Sequence, residues 1–161
     1  MKPVLSPAHG AGLGTTAGIT AVIAVVAAVS MLGQCRNVHG LAAMLGAAAV
    51  ACFILGAGAL YTGRNLTGQA LDLAATDPAA SGISAARGLF YFHLGMTGMF
   101  GGGGFAAWFS FFPLDNAMTL LAPLAGFAMA AVALGNAGGW ARELRRRRTG
   151  EMTGAGADAL D

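Results

Sequence analysis

Four long stretches of this chain carry no Asp, Glu, Lys or Arg: residues 10–33, 40–62, 88–112 and 117–141. About 20 predominantly apolar residues cross a hydrocarbon core of about 30 Å as an α-helix. Backbone groups in lipid must bond within their own segment, so runs of this length are expected to be helices. The nine Lys and Arg and the seven Asp and Glu all fall between or beyond the four stretches. Composition points the same way. Of 161 residues, 56% are apolar and 10% charged, with a mean hydropathy of +0.65. A soluble domain carries roughly 25% charged residues. Such a chain is not expected to be a soluble enzyme, a disordered segment or a nucleic-acid-binding domain. The fold class is an all-α integral membrane four-helix bundle. A short N-terminus occupies residues 1–9, the transmembrane domain 10–141, and a basic, then acidic, tail 142–161.

Orientation follows from the cations, because loops rich in Lys and Arg stay on the cytoplasmic side. With four spans, Lys2, Arg64, Arg87, Arg142 and Arg145 to Arg148 share one side, and Arg36 alone faces the other. Both termini and the 64–87 loop are expected to be cytoplasmic, in a bacterial-type inner membrane. The 34–39 and 113–116 loops then lie outside. Ala28-Val29-Ser30 offers small residues of the kind a signal-peptide cleavage site uses. The charged region before it is weak and the apolar run too long, so the first span reads as retained.

A shift of 79 residues aligns the second span with the fourth. Asn37 meets Asn116, Leu41 meets Leu120, Leu55-Gly56 meets Leu134-Gly135, and Tyr61 meets Trp140. A slightly larger shift aligns Leu13-Gly14-x-Thr16 with Leu94-Gly95-x-Thr97. Two readings stand: a duplicated helical hairpin with both copies in parallel orientation, or coincidence in a chain rich in Ala, Gly and Leu. Small residues four apart let helix backbones approach closely in lipid. Gly10, Gly14 and Gly18 have that spacing, as do Gly98 with Gly102 and Gly135 with Gly139. These glycines are the expected helix-packing positions, within the chain or toward a partner.

The third span holds nine of the thirteen aromatic residues, clustered at its two ends. Interfacial belts account for most of them. Between the clusters lies Gly101-Gly102-Gly103-Gly104, which predicts a break, a hinge or a close-packed groove, with close packing favoured. His93 is the one strongly ionisable group inside a span. An intramembrane His is a functional candidate by default. A neutral imidazole could hold haem b or a chlorin, with His9 as a conceivable second ligand. The simpler reading is a His bonded to a carbonyl or a Thr of a neighbouring helix. Asn136 and Thr97 are the other polar intramembrane candidates, more suited to joining helices than to binding substrate. Pro123 marks either a late start or a kink in the fourth span. Cys35 and Cys52 lie at different depths and are expected to stay as free thiols.

The 64–87 loop is expected to hold a short interfacial helix ending near Pro78. Arg142 and Arg145 to Arg148 form a basic collar that anchors topology and attracts anionic lipid. The tail beyond it is expected to be mobile. No span carries a carboxylate, and no catalytic set is visible, so enzyme and ion-coupled roles are not expected. Three functional readings follow. The first is a non-catalytic accessory subunit of a larger membrane complex, with lipid and other subunits or a second copy as partners. The second is a haem- or chlorin-binding protein using His93. The third is a small oligomeric channel or carrier.

Overall fold

The computed structural model describes residues 5–111 and 117–157. Those residues form four helices: α1 (Pro7–Cys35), α2 (Leu41–Leu73), α3 (Pro78–Ser110) and α4 (Ala117–Ala157). The expected all-α four-helix class is the observed one. Lys2, the 113–116 connection and residues 158–161 lie outside the described residues.

Each described boundary has a local cause. Ser6 caps α1 by accepting from the His9 amide, with Pro7 in the first turn. Proline suits that position, because its missing N–H would have no intrahelical partner there. Asp77 and Pro78 repeat the device on α3, where the Asp77 carboxylate accepts from Ala80 N at 2.9 Å. Pro78 therefore opens a helix rather than closing one. The expected 64–87 loop with its interfacial helix is absent: α2 runs on to Leu73 and α3 starts at Pro78. Gly40, before α2, has φ +68° and ψ −138°, a conformation that side chains other than hydrogen rarely tolerate. Two further expectations change. The tetraglycine run does not break α3, which is continuous through residues 101–104. The tail beyond the basic collar continues as helix to Ala157. Pro123 lies inside α4, in its second turn.

The helices pack in chain order. α1 lies on α2, α2 on α3, and α3 on α4; α1 meets α3 along a short stretch, and α1 and α4 do not touch among the described residues. The bundle is thus an open row with α3 at its centre. From Ala80 to Phe109, Gly103 alone is exposed. By contrast, Val22, Val26 and Val29 of α1, Leu55 of α2 and Val132 of α4 all face outward.

That arrangement explains a departure from the four-span expectation. Three helical segments are long and apolar enough to cross a membrane: Pro7–Cys35, Leu41–Leu73 and Thr119–Thr149. α3, expected to be the longest span, is not among them. Its neighbours cover it, so its composition answers to packing rather than to lipid. Glycines, a histidine and hydroxyls are tolerable on a helix solvated by protein.

The buried positions repeat every seven residues. α1 buries Gly10, Ala17, Ala24 and Met31; α2 buries Ala49, Gly56, Gly63 and Ala70; α3 buries Gly88, Gly95 and Gly102. A seven-residue repeat keeps one seam facing its partner when helices supercoil with a left-handed twist. Ala24, Ala28, Met31, Ala49, Val50, Phe53 and Ala57 form the core between α1 and α2, with Met99, Phe105 and Phe109 of α3 against it.

Candidate functional site

α2 and α3 approach backbone to backbone along a seam at Gly56 and Gly63 against Gly88, Gly95 and Gly98. A methyl group on Gly98 would stand 2.6 Å from Gly56 Cα and 2.7 Å from the Cys52 carbonyl oxygen. One on Gly63 would stand 3.0 Å from the Gly88 carbonyl oxygen. At Gly98 something must shift to admit a methyl group, and at Gly63 the neighbours must give by a few tenths of an ångström. Thr67 sits over Gly88 and spends its hydroxyl on its own helix, donating to the Gly63 carbonyl at 2.8 Å.

The tetraglycine segment serves the same end. Gly102 receives the ring of Phe53, and Gly104 receives the ring of Phe127. Phe127 in turn meets Phe105 edge-on, with centroids 5.0 Å apart, and Trp108 at 6.3 Å. Gly126 of α4 lies against Gly104 and the Phe100 carbonyl. The notches that could have taken a flat ligand are filled by phenylalanines of the chain itself.

The glycines with four-residue spacing divide sharply. Gly10 packs against Leu71, Gly18 against the Arg64 guanidinium, Gly98 against Gly56, and Gly102 against Phe53. Gly14 makes only an ordinary contact with the Arg64 stem. A methyl group on Gly135 or Gly139 would meet no described residue within 4 Å. Conversely, Gly56, Gly63, Gly88, Gly95, Gly104 and Gly126 carry much of the closest packing and lie outside the four-residue pattern. The seven-residue spacing of Gly56 with Gly63, and of Gly88, Gly95 and Gly102, is the signal that finds most of them.

The two candidate histidines do not come together. His9 is exposed near the start of α1, with its ring bonded to the Ser6 hydroxyl. Its neighbour Gly10 is level with Leu71, and Ala70 is level with Ser81, whose hydroxyl donates to the Ala70 carbonyl at 2.7 Å. His93 lies twelve residues beyond Ser81 on α3, about 18 Å along the axis at 1.5 Å per residue. A paired-histidine site is therefore not built. The repeat register sets His9 only three residues shallower than His93, and the packing offset between α1 and α3 differs from it. His93 itself is half-buried, with its ring edge-on to Phe92 at 5.6 Å. Thr97, one turn on along the same helix, donates to the His93 carbonyl at 2.9 Å. Among the described residues neither a carbonyl nor a Thr of a neighbouring helix bonds the His93 ring, so that expectation is not met. Among the described residues, no three His, Cys, Asp or Glu side chains converge as metal ligands. Cys35 and Cys52 are free thiols.

Asn136 is exposed on α4, and no described residue bonds its amide. It flanks the face that carries exposed Ala128, Val132 and Gly135 and half-buried Gly139, which fall on one side of a 3.6-residue helix. In the basic collar, Arg142, Arg145, Arg146 and Arg148 are exposed, while Arg147 pairs with Glu143 at 2.9 Å and reaches over Gly82.

Comparison with known protein families, with curated proteins and with solved structures yields no match. The fold therefore defines the class unaided: an all-helical bundle in which three helices are long and apolar enough to cross a membrane.

Proposed function

We propose that the protein is a multi-pass inner-membrane protein that acts without catalysis, as an accessory subunit seated against another membrane helix. Both termini and the Arg-rich end face the cytoplasm in this reading. α3 crosses the bilayer with α2 and α4 packed along it.

The outer face of α4 is the observation that supports this reading. It combines small residues at Ala128, Gly135 and Gly139 with an amide at Asn136 that no described residue bonds, and among the described residues nothing packs on Gly135 or Gly139. Small residues give close helix contact, and an amide in hydrocarbon gains from a partner across the interface. The outer face of α1, built from Val22, Val26 and Val29, is by contrast fit for lipid alone.

Site-specific photocrosslinking in native membranes tests the proposal. A photoreactive residue at Gly135 is expected to give a discrete adduct with another membrane helix. The same group at Val26 is expected to give lipid adducts. Lipid adducts at both positions, with a monomeric protein after gentle detergent extraction, would overturn it.

A further inference from the structure

At the Arg-rich end, α2 and α4 stand apart on α3 and leave an open cleft of about 570 Å³ between them. Each helix lines it with residues four apart, and hence on one face. α2 supplies Thr62 and Leu66, α3 supplies Arg87 and Tyr91, and α4 supplies Leu144 and Arg148. Phe90 completes the apolar wall.

Among the described residues, no carboxylate lines the cleft, and neither Arg87 nor Arg148 pairs with an acid. Glu143, one turn before Arg147 on α4, is taken by Arg147. Helical side chains tilt toward the N-terminus of their helix. α3 and α4 are antiparallel neighbours, so Arg87 leans toward the Arg-rich end and Arg148 leans back from it. That tilt brings both side chains to the one cleft they line. Leu66, Phe90, Leu144 and Tyr91 line the same cleft.

We infer that this cleft binds a phosphate-bearing anionic amphiphile: the phosphate on Arg87 and Arg148, the first part of an acyl chain against Leu66, Phe90 and Leu144. Guanidinium groups suit phosphate because their planar donors bond it in pairs. A volume of this size lies within the range of small-ligand sites and holds a head group rather than a whole lipid. A zwitterionic choline head group would set its own cation against the arginines. The inference rests on the membrane-spanning part of the proposal above, and not on the partner at α4.

The test uses the full chain, purified and delipidated in detergent, with binding followed by native mass spectrometry at 0.15 M salt. The probes are phosphatidylglycerol, phosphatidylcholine and inorganic phosphate. Wild-type protein is expected to prefer phosphatidylglycerol over both of the others. The pair R87Q/R148Q is expected to lose roughly tenfold or more in phosphatidylglycerol affinity, the worth of one charge-assisted hydrogen bond or more. The pair R145Q/R146Q, outside the cleft, is expected to stay near wild type. Arg148→Gln alone alters an exposed side chain and keeps the test valid if the Arg87 change unfolds the protein. Equal losses in both pairs would reduce the effect to the general charge of the collar and overturn the inference. So would equal binding of phosphatidylcholine, or equal binding of inorganic phosphate without an acyl chain. Carbonate extraction of wild-type membranes separates the two failures, because a protein released by carbonate refutes the membrane reading itself.

Discussion

Replacing Gly98 by alanine adds one methyl group where α2 and α3 touch backbone to backbone. That methyl would stand 2.6 Å from Gly56 Cα and 2.7 Å from the Cys52 carbonyl oxygen. Carbon contacts settle at about 3.5–4.0 Å, so the helices must part by roughly 1 Å. A gap of that size forfeits a quarter to a half of each pairwise attraction along the seam. Overpacking of this kind costs about 1–3 kcal/mol. Alanine also returns up to about 1 kcal/mol of helix propensity, which masks part of the cost. Gly103 provides the internal reference. It lies on the same helix, five residues on, with open space where its methyl would go. Gly103→Ala takes the propensity gain without the clash. The difference between the two variants therefore isolates packing, and G98A is expected to be the less stable by about 1–3 kcal/mol. Unfolding by SDS titrated into mixed micelles, followed by the fluorescence of Trp108 and Trp140, measures it. A G98A protein as stable as G103A would refute close backbone contact at the seam.

Three other substitutions probe the local devices. Gly40→Ala forces a side chain into the positive-φ conformation before α2 and is expected to cost about 1–3 kcal/mol in the same titration. Asp77→Ala removes the cap on α3 and is expected to cost about 1 kcal/mol, with faster amide exchange at Ala80 than in wild type. Phe53→Ala empties the notch over Gly102 and is expected to cost about 3–5 kcal/mol, read as an earlier unfolding midpoint; an unchanged midpoint would mean that the ring does not fill that space.

Helix number and type are legible in the sequence, because charge-free runs of 23 to 25 residues have few stable alternatives in lipid. Helix ends are less so. Pro78 reads as a breaker in a linear scan, yet beside Asp77 it is an N-terminal signal, and the helices on either side extend well past the apolar runs. The four-residue glycine spacing finds Gly98 and Gly102 but also picks out Gly135 and Gly139, where a methyl group would meet no described residue. Spacing says which residues share a face. It does not say whether a neighbour is there.

What belongs to the sequence alone is the all-helical class and the confinement of charge to the ends of the apolar runs. These are local properties, set by backbone bonding and by solvent. Only the tertiary structure decided the order of packing. It put α3 at the centre, where glycines outweigh hydropathy because protein is its solvent. It closed the notches at Gly102 and Gly104 with phenylalanines and held His9 and His93 apart. It also brought Arg87 and Arg148, 61 positions apart in the chain, to one cleft. Those outcomes depend on which helix faces which, a choice made by the summed fit of whole surfaces and not by any single residue.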